Sequence, residues 1–208
     1  SSAVWCDMVF VNIDRTAQDF DTFIAPLAER WQPYPVSDFY LANTKQYDVE
    51  GNWKLAIENF LDNYHFPITH SQFGTYEVML QITHLRISDD IFGYHMPTGE
   101  SDKPKTDAQL ISLELPEELV PAQDILYLYP NTLLIMTATW FQVINLLPTA
   151  PDCTRETLAI YLVSSDDESK ALQRTRDDMV KAANYINEQD LPVLKGLQAG
   201  MQSPAASQ

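Results

Sequence analysis

The chain has 208 residues, 45% hydrophobic and 11% aromatic, enough apolar material for one sizeable core. Its 29 acidic and 13 basic residues give a formal net charge of −16. That balance excludes the basic footprint that carries nucleic-acid affinity, and it argues equally against an anionic membrane surface.

The opening residues, "VWCDMVFVNID", read as a strand. Domains usually begin with a frayed polar segment, so a start inside structure is expected of a fragment of a longer protein. The start has no basic region followed by an apolar core, and no apolar run in the chain reaches the ~20 residues of a membrane helix. Cys6 and Cys153 lie far apart, outside any CxxC or CxH pattern. Reduced thiols in a cytoplasmic protein are expected, and a cysteine-held zinc or iron–sulfur site is not.

Residues 17–30 read as a short amphipathic helix carrying Pro26, and residues 38–50 as a strand with Tyr47 and Val49 in alternation. A helix follows from Trp53. Residues 78–96 suggest two strands around Asp89 and Asp90, and the polar, Pro-containing stretch 99–121 a loop. Three strands are expected within 124–163, as an antiparallel meander. Ser165 with Glu168 fits a capping box. Leu172, Met179, Ala183 and Ile186 then recur at helical spacing up to an interruption at Pro192. The economical reading is one α+β domain over residues 1–202, with a disordered tail at 203–208.

The stretch "NWKLAIENFLDNYHFPITH", Asn52 to His70, sets two imidazoles and two carboxylates among large apolar groups. With 53–65 as a helix, Trp53, Ile57, Phe60, Leu61 and Tyr64 share a stripe about 100° wide that faces a core. Glu58, Asp62 and His65 share an adjacent stripe, and Asp62 and His65 are an i,i+3 pair. Pro67 disfavours helix at Phe66, so the chain is expected to break there and return His70 towards His65. Two imidazoles beside a carboxylate suit a divalent metal. A D-x-x-H spacing also suits an ordinary hydrogen-bonded pair, and composition alone leaves both open.

Asn52, Trp53, Lys54, Glu58, Asn59, Phe60, Asp62, Tyr64, His65 and His70 together resemble the signature of the catalytic domain of Rieske-type non-haem iron oxygenases, the aromatic ring-hydroxylating α-subunits. The resemblance implies a helix-grip, START-like fold, with an antiparallel sheet against a long C-terminal helix. It implies mononuclear Fe(II) held by two His and one carboxylate with open positions. His65 and His70 match the two imidazole ligands. A second stretch, "NEQDLPVLKGLQAG", resembles the family's C-terminal pattern through Asn187, Glu188, Asp190, Leu194, Gln198 and Gly200. Asp190 matches the carboxylate ligand and Glu188 is its rival; Gln189 stands where the family often has Glu. Asp62 matches the acidic residue that couples the iron to a neighbouring subunit's Rieske cluster, and Asn59 an Asn close to the iron. For Glu58 and Tyr64, packing roles come before roles behind the ligands.

Three functions follow as expectations. The first is an oxygenase that uses Fe(II), O₂ and electrons from a Rieske [2Fe-2S] centre to hydroxylate an apolar, aromatic substrate. The CxH…CxxH residues of that cluster are absent from this chain, so the cluster is expected in a missing or partner domain, with a ferredoxin or reductase behind it. A homotrimer or other homo-oligomer is implied, passing electrons between subunits. The second is a non-catalytic START-like module binding an apolar ligand; the third is a hydrolase with zinc in the same ligands. The substrate is expected between the sheet and the long helix, among Phe66, Met79, Leu80, Ile82, Trp140, Phe141, Ile144, Leu191 and Leu194. His84 and His95 are both expected at the surface or in the core rather than as ligands, with His95 a further candidate for lining that pocket.

Overall fold

The computed structural model describes residues 1–14, 16–34, 36–70, 81–97, 122–164 and 169–203. The loop expected at 99–121, the capping pair Ser165 and Glu168, the walls Met79 and Leu80, and all but the first residue of the tail lie outside the described residues.

Near-continuous apolar runs such as "DILYLY" and "TLLIMT" demand burial on both faces of a strand. The fold supplies it with a seven-stranded antiparallel sheet between two helical layers. Its strands are β3 (Phe39–Val49), β4 (Thr83–Arg86), β5 (Ile91–Pro97), β6 (Ala122–Leu128), β7 (Thr132–Thr137), β8 (Trp140–Ala150) and β9 (Cys153–Val163). Their spatial order is β3-β9-β8-β7-β6-β5-β4. One face carries Tyr47, Ile144, Leu158, Ile160 and Leu162. It packs on α2 (Trp53–Leu61) through Leu55 and Ile57, and on α4 (Lys170–Met201) through Ala183 and Leu194. The opposite face carries Leu126, Leu134, Met136, Phe141 and Tyr161 against Ile24, Leu27 and Trp31 of α1 (Phe20–Arg30) and its C-cap. The expected α+β architecture, an antiparallel sheet against a long C-terminal helix, is the one observed.

Several boundaries differ from the sequence reading. The single opening strand is a hairpin, β1 (Ser2–Trp5) and β2 (Met8–Val11), because Cys6 and Asp7 both take positive φ, 49° and 59°. Those angles build a two-residue turn without the usual Gly or Asn. Three strands expected between 124 and 163 are four, since the long middle run turns between Thr137 and Trp140. There the Thr137 hydroxyl accepts from the backbone N–H groups of Thr139 and Trp140, at 3.2 and 3.0 Å. Pro192 does not interrupt α4, a 32-residue helix that starts from an N-cap at Ser169 and continues past the proline to Met201. Burial of Ala183, Asn187 and Leu194 along one stripe outweighs the one backbone bond that the proline forfeits.

Behind the sheet, α1 is fixed by one fully buried carboxylate. Asp124 on β6 receives Nε and Nη2 of Arg30 at 2.7 Å each, Trp31 Nε1 at 3.0 Å and His95 Nδ1 at 2.8 Å. His95 is thereby held on the α1 side and does not line the space under α4. Burial alone would raise the Asp124 carboxyl, but the hydrogen bonds from His95 and Arg30 hold it below its ordinary value. This contribution to stability is present above the unfolded carboxylate pKa and is lost as pH falls through the lowered folded value. Asp124→Ala leaves Arg30 and His95 facing a vacated site, and a loss of about 3–5 kcal/mol is expected in urea unfolding.

Candidate metal centre

The break after α2 falls earlier than the sequence suggests. The helix stops at Leu61, and Asp62 is its C-cap in an extended conformation. The Asp62 side chain accepts the Tyr64 N–H at 3.0 Å and so turns the chain. His65 then caps a one-turn helix, α3 (Phe66–Thr69), in which Pro67 occupies the first turn, where a missing N–H costs nothing. Pro67 therefore opens the second turn rather than ending the first helix. His70 closes it, its N–H bonded to the Phe66 carbonyl at 2.7 Å. The expected return of His70 is found: the two imidazole centroids are 5.1 Å apart with planes inclined by 71°.

Asp190 reaches the pair from α4. Its Oδ1 lies 3.2 Å from His70 Nε2 and 3.5 Å from His65 Nε2. One donor atom from each of the three residues falls within 4.8 Å of the others. His70 is buried, and the side chains of His65 and Asp190 are mostly so. Both ring nitrogens of His65, and Asp190 Oδ1, are buried without a hydrogen-bond partner among the described residues. Leaving such atoms unpaired costs on the order of 1–3 kcal/mol each, and an ion bound between His65 Nε2 and Asp190 Oδ1 would remove that cost for those two atoms. Two neutral imidazoles and a carboxylate are the donor set that a divalent transition metal takes.

A polar side chain stands behind each imidazole, within hydrogen-bond distance only at His70. Asp62 Oδ2 stands 3.7 Å from His65 Nδ1, with its side chain half-exposed. Gln189 Oε1 lies 3.0 Å from His70 Nδ1. An amide oxygen there accepts, so Nδ1 carries the proton and Nε2 turns its lone pair to Asp190 and the cluster. Burial lowers the His65 pKa despite Asp190 and Asp62, which keeps that ring neutral. Burial also opposes charge on His70, but the closer Asp190, with Gln189, outweighs it and raises its pKa.

The rival carboxylate is placed elsewhere. Glu188 faces β3, paired with Lys45 Nζ at 2.5 Å and touched by the Tyr47 hydroxyl at 3.4 Å. Asn59 is buried on the inner face of α2 with Leu55 and Ala56. Glu58 and Tyr64 are exposed, Tyr64 by 78%, so neither packs. Among the expected walls, Phe66 and Ile82 join Tyr94, Met96 and Ile125 in one apolar cluster, and Trp140, Ile144, Leu191 and Leu194 belong to the core under α4. Phe141 does not: its register turns it to the opposite face, against Trp31 and Tyr161. His84 is exposed on β4.

Two residues near the cluster were not singled out from the sequence. Tyr94, buried on β5, has its hydroxyl 3.5 Å from the Phe60 carbonyl at the end of α2. Glu156 sits on β9 in the inward register shared by Leu158, Ile160 and Leu162, and it is 5% exposed. Asn187, one turn before Asp190 on α4, donates to it at 2.5 Å. The signal was available in "TRETLAIYL", where an acid occupies an apolar position of the alternation.

The model of the ring hydroxylating alpha subunit (catalytic domain) matches residues 37–208. The chain belongs to that family. A choline monooxygenase from Atriplex hortensis is 20% identical over 98% of this chain and 44% of its own length. Among solved structures, a quaternary ammonium Rieske monooxygenase described for carnitine oxidation superposes with a TM-score of 0.76 at 19% identity, over 99% of this chain and 53% of that one. A Rhodococcus naphthalene 1,2-dioxygenase bound to indole gives 0.68 at 16%, over 99% and 55%. The likeness to these structures is one of fold, and the chain spans about half the length of the relatives it matches. No helix among the described residues is long and apolar enough to cross a membrane.

Burial pushes the Glu156 carboxyl up to about 7, with the charge of Asp190 adding to the rise and Asn187 opposing it. Between the ordinary value of 4.5 and this one, the folded chain holds a proton that the unfolded chain has released. Stability therefore falls as pH rises through that window. Glu156→Gln removes the effect, so its urea midpoint should gain on wild type from about pH 5 to about pH 8, by on the order of 2–4 kcal/mol.

Proposed function

We propose that the chain is the catalytic half of a Rieske-type oxygenase, with His65, His70 and Asp190 as the residues that would hold mononuclear Fe(II). The convergence of one ligand atom each from His65, His70 and Asp190, brought together from two distant segments, carries the reading. Iron bound there would supply the one-electron and dioxygen chemistry that side chains lack. The chain's own residues do the rest. Burial keeps His65 neutral and so able to bind. Gln189 fixes the His70 tautomer, and Asp62 sets the His65 ring from behind.

Asp62 is also placed to receive the electron donor. Its side chain is 48% exposed while the imidazole it approaches is 11% exposed, so it joins the surface to the buried site. We assign the donor role to a Rieske [2Fe-2S] centre outside this sequence, of a neighbouring subunit in a homo-oligomer. The substrate lies between the sheet and α4, where Phe60, Phe66 and Tyr94 exclude water beside the imidazoles. An aromatic substrate, as in the naphthalene dioxygenase, and a quaternary ammonium one, as in the carnitine-oxidising enzyme, share this need for an apolar wall. A binding module without metal is the second reading, since the same two layers would enclose an apolar ligand.

Iron analysis separates them. His65→Ala, His70→Ala and Asp190→Ala should each purify with less than about a tenth of the wild-type iron, whereas Glu188→Ala keeps it. Full iron in both histidine variants would remove the site, and loss in Glu188→Ala alone would show that the carboxylate was misassigned. Asp62→Ala is expected to retain iron in the intact protein and to slow electron-coupled turnover by about 100-fold or more. Wild-type turnover in that variant would end the relay role.

A further inference from the structure

We propose that Glu156 seats a cationic group of the substrate, an ammonium or quaternary ammonium, beside the metal centre. The inference rests on the oxygenase reading for the identity of the reacting site. Glu156 itself is argued from its surroundings.

A carboxylate buried without a counter-charge is among the costliest groups a core can hold, and such groups are normally paired with a base or a metal. Glu156 is 5% exposed, on a sheet face otherwise made of Leu146, Leu158, Ile160 and Leu162. Its hydrogen bond to a described residue comes from a neutral amide, Asn187. Among the described residues no Lys, Arg or His pairs with it. The basic groups of α4 and β3 nearby are engaged elsewhere: Lys45 holds Glu188 and Lys195 holds Glu50. Among the described residues, the core under α4 thus holds Glu156 without a cationic partner.

Its position gives the charge a use. Asn187 and Asp190 are three residues apart on α4, on one face and about 4.5 Å apart along the axis. Asp190 adds to the rise in the Glu156 pKa, so the two carboxylates feel one another. The imidazole side of the cluster is apolar, with the Phe66 ring 4.8 Å from His65 and 5.5 Å from His70. The Asp190 side is acidic. A substrate with an apolar body and a positive head matches both sides at once, and a neutral aromatic matches only the first. Entry of the cation would hold Glu156 ionised and supply the pairing that the fold omits.

The test is a calorimetric titration of the full-length protein, with and without iron. The probes are choline and the neutral dimethylbutanol in which carbon replaces the quaternary nitrogen. Wild type should prefer choline by roughly tenfold or more, the scale of one charge-assisted contact. Glu156→Gln should bind the two alike while keeping wild-type iron content. Equal binding of the two probes by wild type, or a preference that survives in Glu156→Gln, would overturn the proposal. If Glu156→Gln fails to fold, Glu156→Asp decides: it keeps the charge and should keep the preference, and its loss there counts against the role. A charge preference in a protein that takes up no iron would instead leave the cation seat standing and reject the oxygenase reading.

Discussion

The docking of α2 on α4 is the constraint on which the cluster of His65, His70 and Asp190 depends. Its donor atoms come from two segments far apart in sequence, and a ligand set tolerates displacements of only about half an ångström. The registration is set at the N-terminus of α2. The Asn52 side chain caps the helix by accepting the Lys54 N–H at 2.9 Å, and its amide nitrogen donates to the Pro151 carbonyl at 2.6 Å. Its own backbone N–H donates to Gln198 Oε1 on α4 at 2.8 Å. One turn from Gln198, Leu194 is buried in the shared core, and Lys195 pairs with Glu50 at 2.8 Å. The Thr154 hydroxyl holds the Gly51 carbonyl at 2.8 Å, anchoring the same corner to β9. Asn52 and Gln198 both belong to the motifs that suggested iron, yet neither reaches the cluster. They hold together the two helices that do.

From that anchor, the local chain geometry does the aiming. α2 ends at Leu61 rather than running into the histidines, and the short turn through Asp62 gives His65 and His70 their own one-turn frame. The two imidazoles are then set differently. His65 has a half-exposed carboxylate behind it, and His70 has a part-buried neutral amide. A carboxylate at Gln189 would add a negative charge beside Asp190. The amide orients His70 without that charge, and the carboxylate is kept where solvent can share it.

How much of this the sequence showed depends on the range of the signal. The two layers, the long helix and the pairing of His65 with His70 were legible because apolar alternation and local spacing are properties of neighbouring residues. Asp190 was preferred to Glu188 only through the family pattern; two residues apart on a helix, their side chains point about 200° apart, which sends Glu188 to Lys45. Phe141 was misplaced because a long apolar run conceals its own phase, and the turn at Thr137 that sets the phase has no Gly or Pro. His95 takes the structural role expected of it rather than the pocket position. Its partner Asp124 lies opposite it across the ladder, and Arg30 and Trp31, which share that carboxylate, come from a helix and its C-cap whose docking face no local pattern reveals. Glu156 broke the alternation in plain view, but a single acid in a strand reads as an edge position until its neighbours are known.

The balance of charge in the interior links these points. Asp190 and Asp62 bring two carboxylates to the imidazoles of His65 and His70. Asp124 is matched on the other face by Arg30, with His95 and Trp31 completing its hydrogen bonds. Glu188 and Glu50 are matched by lysines at the surface. When these pairs are set aside, the acid left over inside the described fold is Glu156. A protonated Glu156 would relieve the imbalance below its raised pKa, at the cost of a group no better for packing than Gln. A carboxylate kept at an apolar position is better explained by a charge that arrives from outside, and Asn187 ties Glu156 to the helix that also carries Asp190.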